Sequence, residues 1–320
     1  MSGLFDEIRA AAAEVSARAR FVRVHEAGVA ALAGRLRCED AVPVVWDAET
    51  HFRGPSASLL AYVVTLDAIN FGSGWFPSLR KREGRSGYYT LAMGLRDRFE
   101  AEGPWSSAEL MALSAADIAR VLGQHGHDPQ VGELMSLQAR SLNDLGLLLD
   151  GACRGSFEVL IADADGSAEA LVRTLTRMPL YRDVTWYFGI EVPFYKRAQI
   201  TVADLALAFG GKGPGHFRDL DALTLFADNL VPHVLRIEGV LEYDAGLAEC
   251  IEAGVRLAPG SPEEVEIRAV ALHAVECIAE AIRAAGAKAS AREIDAVLWL
   301  RGQRPEFKAR PRHRTCTPYY

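Results

Sequence analysis

Apolar residues recur every three or four positions along most of the chain, which predicts a mainly helical protein. The pattern predicts helices over 3–19, 24–36, 57–71, 88–101, 107–123 and 129–150, two short ones within 155–178 that divide at Gly166, and others over 194–208, 219–226, 230–239, 245–254, 262–285 and 290–302. Ser106, Asp128 and Ser261 stand where capping residues are favoured, just ahead of three of these helices. The tail over 306–320 is basic, contains proline and predicts irregular structure.

One segment departs from the helical pattern. Residues 181–194, YRDVTWYFGIEVPF, are rich in β-branched and aromatic side chains, and Gly189 is placed for a turn. They predict a small β-hairpin.

The Gly/Pro-rich stretch GGKGPG at 210–215 lacks the spacing of a phosphate-binding Walker loop, and it predicts a loop between helices. Because no linker or repeat interrupts the pattern, we expect one mainly α domain over 1–320.

Composition narrows the classes of partner. The chain has 320 residues, of which half are hydrophobic, and a net charge of −7. Proteins that grip long nucleic acids usually have a basic surface, so we expect no polymeric nucleic acid partner, although a small anion in a local basic pocket is compatible. Scattered cysteines, no secretory signal and no apolar run near the ~20 residues that span a bilayer predict a cytoplasmic protein with no membrane partner. The histidines form no HxxxH or HExxH pair, so we expect no metal site.

The segment FYKRAQI, 194–200, places two cations where a helix disfavours them. Pro193 is suited to the first helical position, which would put Lys196 and Arg197 in the first turn. Cations there cost about 0.3–1 kcal/mol each. Together with the free amide groups of the turn and with Tyr195, they describe a cradle for an anion, most simply a phosphate. The alternative is a pair of solvated surface charges.

Asp228 lies in TLFADNLVPHVLR, 224–236, just ahead of a helix that contains Pro232. One interpretation is an N-cap that accepts a backbone N–H. However, the preceding run 225–227 is apolar, so Asp228 can instead emerge from the core as a semi-buried carboxylate. Such a group stabilises positive charge that develops on a sugar ring.

Polar residues end the nearly continuous apolar helix before TLDAINFGSGWF, 65–76. Asp67 and Asn70 either tie down the following loop or bond the edge of a flat heterocycle, because buried polar groups need partners. In the second case Phe71 and Trp75 would stack on the face of the heterocycle, and in the first they belong to the core.

Two further features have a structural and a functional interpretation. His51 lies on a short polar loop, DAETHFRGP, where it is either a surface residue or a ligand contact. Glu264 and Arg268 are four residues apart on a predicted helix, and we expect an ordinary surface pair.

Taken together, these segments resemble the queuosine salvage family of queuosine 5′-phosphate N-glycosylase/hydrolases. The resemblance is carried by LDAINFGSGW (66–75), YRDVTWYFGIEVPFYKRAQI (181–200) and GKGPGHFRDLDALTLFADNLVPHVLRIEGVLEY (211–243), and is extended by EEVEIRA (263–269), DAVLW (295–299) and HRTCTPYY (313–320). It covers nearly the whole chain and is strongest from about residue 181 onward.

The resemblance implies a single mainly α domain, similar to helical DNA glycosylases. It also implies hydrolysis of queuosine 5′-monophosphate to queuine and ribose 5-phosphate, without a metal or redox cofactor. Asp228 matches the essential aspartate of the family, and Lys196 and Arg197 would hold the 5′-phosphate. The expected substrate-binding residues are His51, Asp67, Asn70, Phe71, Trp75, Tyr195, Lys196, Arg197 and Asn229.

The turn GSGW at 72–75 departs from the bulkier, aromatic-containing turn of the family. Two alternatives remain open at this point: a non-catalytic protein that binds a modified nucleotide, and a repair glycosylase that acts on nucleic acid. The acidic balance of the chain speaks against the second.

Overall fold

The computed structural model describes residues 3–38, 46–126 and 128–320, and these residues are mainly helical. The helices are α1 (Leu4–Arg18), α2 (Glu26–Cys38), α3 (Ser56–Ile69), α4 (Gly87–Glu102), α5 (Ser107–Ala112), α6 (Ala115–Val121), α7 (Pro129–Cys153), α8 (Phe157–Ala162), α9 (Ala168–Leu175), α10 (Lys196–Ala208), α11 (Val231–Ile237), α12 (Ala245–Glu252), α13 (Pro262–Ala284), α14 (Ala291–Gly302) and α15 (Pro305–Lys308). The strands are β1 (Val22–Val24), β2 (Val184–Tyr187), β3 (Ile190–Pro193) and β4 (Leu241–Tyr243). The mainly α prediction is confirmed. Within the described ranges, no helix combines the length and the apolar character that crossing a membrane requires.

The predicted hairpin is confirmed, and the structure adds a second small sheet. Strands β2 and β3 pair antiparallel, with Tyr187 opposite Ile190, and Gly189 supplies a turn residue with φ of 87°. Strands β1 and β4 also pair antiparallel. The sequence did not predict this sheet, because each strand has only three residues and its partner lies far away along the chain.

Pro193 is not the first helical residue, so that prediction is wrong. It pairs with Val184 as the last residue of β3, and α10 begins at Lys196. Tyr195 has φ of 46°, in the left-handed region, and turns the chain between strand and helix. The predicted first-turn position of Lys196 and Arg197 is confirmed.

Three other predicted boundaries differ from the structure. The predicted helix over 107–123 is two helices, because the Ser114 side chain caps a new start at α6. The predicted helix over 219–226 is a single 3₁₀ turn, Leu220–Ala222, followed by a non-helical segment that leads to Asp228. The predicted irregular tail includes the last residues of α15.

The described residues group into two compact units, each built from separated segments. Of the described residues, unit 1 draws on 3–38, 183–196 and 221–316, and unit 2 on 46–126, 128–182, 197–220 and 317–320. The division along the chain therefore falls inside the first turn of α10, between Lys196 and Arg197. The single domain over 1–320 and the likeness to DNA glycosylases stay predictions.

In unit 1, helix α13 is the central element and packs against α1, α2, α11 and α14. Burial of Val265, Leu272 and other apolar residues along α13 accounts for this position. Glu266 of α13 is buried as well. Its carboxylate accepts hydrogen bonds from the amides of residues 20–22 and from the Tyr187 hydroxyl, so it joins β1 and the hairpin to α13.

In unit 2, the long helix α7 packs against α3, α5, α6 and α8. Residues 60–69 of α3 are all buried, which agrees with a sequence that is apolar except at Thr65 and Asp67. Gly146 allows α5 and α7 to approach, since a Cβ atom there would lie 2.7 Å from the carbonyl oxygen of Ser107. This packing holds the end of α3, where Asp67 and Asn70 lie.

Candidate active site

Asp228 lies in unit 1, where its two carboxylate oxygens differ in their surroundings. Oδ1 accepts hydrogen bonds from the amides of Leu230 (2.7 Å) and Val231 (3.2 Å) at the start of α11. Within the described ranges, Oδ2 makes no hydrogen bond, and the residue is half-buried. Asp228 therefore accepts backbone N–H groups, as the capping interpretation predicted, but the N-cap residue of α11 is Leu230, two residues further on. One oxygen of this fixed carboxylate is left available to a ligand.

The C-terminal segment brings a cation close to Asp228. The side-chain amide of the buried Asn229 donates to the main-chain oxygen of His313 at 3.4 Å, which places residues 312–313 beside 228–229. Burial lowers the pKa of Arg312, and the charge of Asp228 opposes this shift. Burial, followed by the charge of Arg312, lowers the pKa of His313 to about 3, so that ring is neutral at pH 7.

Tyr195 and Lys196 also belong to unit 1. Lys196 is buried, with 6% of its surface exposed, and Tyr195 is half-buried. The carboxylate of Asp183 accepts a hydrogen bond from the Lys196 amide at 3.3 Å, so a protein carboxylate serves this N-terminal donor of α10. The predicted free amide groups of the turn thus have at least one partner within the chain.

Arg268 is buried in unit 1, so the predicted surface pair with Glu264 is wrong. The Glu264 side chain is 3% exposed and that of Arg268 2%, with 3.6 Å between Oε1 and Nη1. Arg268 also binds both carboxylate oxygens of Asp183, at 3.0 and 2.6 Å. Because Val265 and Leu272, at helical spacing from Arg268, are buried as well, the pair faces the core.

Arg197 lies in unit 2 and is almost fully buried. Its guanidinium donates to the main-chain oxygens of Ala68 (2.8 Å) and Leu180, and it lies between the rings of Phe71 and Tyr181, 4.5 and 4.3 Å from their centroids. This arginine therefore holds the end of α3 and the segment before the hairpin against α10. Phe71, expected to stack on a base, packs against this guanidinium.

The polar pair at the end of α3 forms a local bond. The side-chain amide of Asn70 donates to the Asp67 carboxylate at 3.3 Å, with Asp67 fully buried and Asn70 half-buried. Trp75, also buried, donates from its ring nitrogen to Glu133 of α7 at 2.9 Å. These bonds tie the loop after α3 to its surroundings, which is the structural interpretation of these residues, and base contact stays a prediction.

His51 lies on the predicted loop of unit 2, but its side chain is buried. Its Nδ1 atom lies 2.8 Å from the Thr50 hydroxyl, and its Nε2 atom lies 2.8 Å from the Tyr88 hydroxyl. Burial lowers the pKa of His51 to about 4, so the ring is neutral at pH 7. It is therefore a neutral hydrogen-bonding group under those conditions and not an acid.

Four residues near the candidate groups of unit 1 were not among the predicted site residues: Asp183, Arg268, Arg312 and His313. Arg268 had a signal, since it stands between apolar neighbours of a strongly apolar helix. Asp183 stands three residues before Trp186 of the hairpin segment and carries no local signal. The two C-terminal residues belong to a basic tail that resembles many solvated tails.

Unit 1 thus carries a fixed, half-exposed carboxylate, a buried lysine at a helix start and a nearby arginine. In a mainly helical protein, a fixed carboxylate of this kind can stabilise positive charge, and such cations can bind an anionic group. Among the described residues, no group of three or more His, Cys, Asp or Glu side chains could hold a metal ion.

Comparison with known proteins identifies the family. The model of the queuosine salvage protein family matches residues 50–320. A queuosine 5′-phosphate N-glycosylase/hydrolase of Sphaerobacter thermophilus is 36% identical over 308 residues, which cover 95% of this chain and 94% of that protein. Proteins of the same name from Dictyostelium discoideum and Bos taurus are 35% and 32% identical, covering 81% and 100% of this chain and 77% and 100% of their own lengths. The chain belongs to the queuosine salvage protein family.

Proposed function

We propose that this protein hydrolyses the N-glycosidic bond of queuosine 5′-phosphate and releases queuine and ribose 5-phosphate. The observation that carries the proposal is the half-exposed Asp228 carboxylate, with Oδ1 fixed by two amides and Oδ2 unengaged within the described chain. Family membership supports it, because the curated relatives are named for this substrate and reaction.

Cleavage of the bond builds positive charge at C1′ and negative charge on the departing base. The bond from C1′ to the base nitrogen breaks, a bond from C1′ to the oxygen of water forms, and a proton goes to the base nitrogen. A carboxylate beside C1′ stabilises the developing cation, either as a fixed charge that also orients water or as a nucleophile. Asp228 takes this role in the proposal, and its two amide bonds supply the preorganisation.

The phosphate would be bound at the start of α10. Lys196 supplies the cation, and Tyr195, which leads into the helix, lines the same turn. Binding a remote phosphate orients the sugar and contributes energy to the reacting carbon. Arg197 would not bind the phosphate in this proposal, because its guanidinium donates to main-chain oxygens of unit 2. It would instead anchor α10.

The base would be recognised by neutral and acidic hydrogen-bonding groups. Asp67, Asn70, His51 and Asn229 are the predicted contacts, and Phe71 and Trp75 are the predicted aromatic ones. His51, with its pKa lowered to about 4 by burial, would act as a neutral hydrogen-bonding group and would not protonate the leaving base at pH 7.

The decisive experiment incubates the purified protein with queuosine 5′-phosphate and measures free queuine by mass spectrometry. Release by the wild type, and a rate at least about 100-fold lower for Asp228→Asn, is the expected result. Tight binding without release would replace the enzyme with a nucleotide-binding protein. Release only from a tRNA or DNA substrate would replace it with a glycosylase that acts on polymers.

A further inference from the structure

Arg268 links the two segments of unit 1 that carry Asp228 and Lys196. We propose that Arg268 is a positioning residue of the hydrolysis, which holds the segment before Asp228 and the segment before Lys196 with one guanidinium. This inference rests on the proposed function and extends it to a residue that does not itself touch the substrate.

The first contact fixes the approach to Asp228. The Nε atom of Arg268 donates to the main-chain oxygen of Ala227, the residue before Asp228, at 3.0 Å. The segment 223–227 is not helical, so few regular backbone bonds hold it. The amide of Phe226 donates to the Asp295 carboxylate at 3.2 Å, and the Arg268 bond holds the peptide that joins Ala227 to Asp228.

The second contact fixes the approach to Lys196. Nη1 and Nη2 of Arg268 donate to the two carboxylate oxygens of Asp183, at 3.0 and 2.6 Å. The same carboxylate accepts the Lys196 amide, and the main-chain oxygen of Asp183 accepts the amides of Phe194 (2.9 Å) and Tyr195 (3.3 Å). Asp183 therefore holds the left-handed turn at Tyr195 from two sides.

The surroundings of the guanidinium require an arginine. Its central carbon lies 3.9 Å from the centroid of the Phe194 ring, and Glu264 supplies a second carboxylate at 3.6 Å. The three nitrogens of the planar guanidinium donate to one main-chain oxygen and to both oxygens of one carboxylate. A lysine ammonium cannot make these three bonds in the same geometry. Lysine keeps the charge here but loses part of this fixed geometry.

The expected consequence is a loss of rate that exceeds any loss of substrate binding. Displacing a catalytic group by about 1 Å can cost about 100-fold in rate. We therefore expect Arg268→Lys to lower kcat about 10-fold or more, with KM changed less than about 3-fold. A purely structural role would instead reduce the fraction of folded protein and leave the kcat of the folded fraction unchanged.

The control is Arg9→Lys. Arg9 also joins a carboxylate, that of Glu276 at 2.9 Å, to a main-chain oxygen, that of Ala222 at 2.6 Å, in the same unit. Among the described residues, the Arg9 side chain bonds Asp6, Glu276 and Ala222 and makes no hydrogen bond to 183–196 or 223–228, so we expect the kcat of Arg9→Lys to match that of the wild type. If kcat falls in Arg268→Lys but not in Arg9→Lys, the loss comes from the contacts of Arg268 and not from disturbing any hydrogen-bonded arginine of unit 1.

A double-mutant cycle gives the sharpest readout. Kinetics with queuosine 5′-phosphate are measured for wild type, Arg268→Lys, Asp228→Asn and the double variant, at a temperature where circular dichroism shows each to be folded. The part of the Arg268→Lys effect that acts through Asp228 disappears once Asp228 is neutralised, so we expect the combined loss of rate to be smaller than the product of the two single losses. Independent, multiplicative losses, or a wild-type kcat for Arg268→Lys, would overturn the inference while leaving the proposed hydrolysis intact.

A second variant applies if Arg268→Lys does not fold. Asp183→Asn keeps an acceptor for one N–H group of Arg268 and removes the charge, and we expect the same fall in kcat and the same coupling to Asp228. A wild-type kcat for folded Asp183→Asn would also overturn the inference. If the wild type itself releases no queuine, it is the proposed function that fails, and the positioning role fails with it.

Discussion

The Oδ1 atom of Asp228 lies 2.7 Å from the amide nitrogen of Leu230, so the candidate catalytic carboxylate also accepts a backbone N–H at the start of α11. One oxygen serves the fold, and the other makes no hydrogen bond within the described chain. Because this bond needs only an acceptor, whereas charge stabilisation needs the ionised group, the two roles can be separated by substitution.

Asp228→Asn should lower kcat for queuosine 5′-phosphate by about 10²–10³-fold, because asparagine keeps the acceptor but lacks the charge. The melting temperature should change little. The matched control is Asp244→Asn, since the Asp244 carboxylate caps α12 by accepting the Leu247 amide at 2.6 Å. A wild-type rate for Asp228→Asn, measured as queuine released, would contradict the catalytic role.

Lys196→Met should reduce the preference for the phosphorylated substrate. A hydrogen bond to a charged group contributes about 1.5–3 kcal/mol, so kcat/KM should fall about 10- to 100-fold on queuosine 5′-phosphate and far less on queuosine. The exposed Lys212 gives the control, Lys212→Met, which should leave both values unchanged. Equal losses on the two substrates would remove Lys196 from phosphate binding.

Arg197→Met should act on stability. The substitution leaves the buried oxygens of Ala68 and Leu180 without their donor, and we expect the free energy of unfolding to fall by about 3 kcal/mol or more. Urea denaturation measures this loss, with the exposed Arg120→Met as the control. Unchanged stability together with a reduced preference for the phosphorylated substrate would return Arg197 to the phosphate site.

The buried His51 should make the protein less stable in acid. Burial lowers its pKa from 6.5 to about 4 in the folded protein. Since the unfolded chain then binds the proton more readily, the contribution of His51 to stability is present above pH 6.5 and declines as the pH falls towards 4. At pH 5 the loss amounts to about 2 kcal/mol.

Urea denaturation at pH 7 and pH 5 tests this expectation. His51→Gln should show a smaller difference between the two free energies of unfolding than the wild type does. His216→Gln, at an exposed position, serves as the control and should keep the wild-type difference. An unchanged difference in His51→Gln would show that the acid sensitivity arises elsewhere.

The local pattern of apolar and turn residues was enough to predict most of the helices and the hairpin. The period of the apolar residues predicted α1, α7 and α13 within a few positions, because amphipathic helices record their buried face in the sequence. The turn at Gly189 was predicted for a similar reason, since a positive φ favours glycine. Failures came where short segments depend on distant partners, as in the pairing of β1 with β4.

The candidate site divides in the same way. The residue types at Asp228 and Lys196, and the family likeness that they carry, follow from the sequence alone. The contacts of these residues do not follow from the sequence. The Arg197 guanidinium donates to main-chain oxygens in unit 2, and the backbone amide of Lys196 donates to Asp183 in unit 1.

The amino-acid sequence by itself determined the mainly helical class, the hairpin and the residues in the family motifs, because each depends on a few neighbouring positions. Only the tertiary structure decided that Arg268 is buried and that it joins Asp183 to Ala227. A buried charge must find its partners in space, and Arg268 and these two partners come from three separate stretches of the chain. Contacts between such distant segments leave no periodic pattern in the sequence.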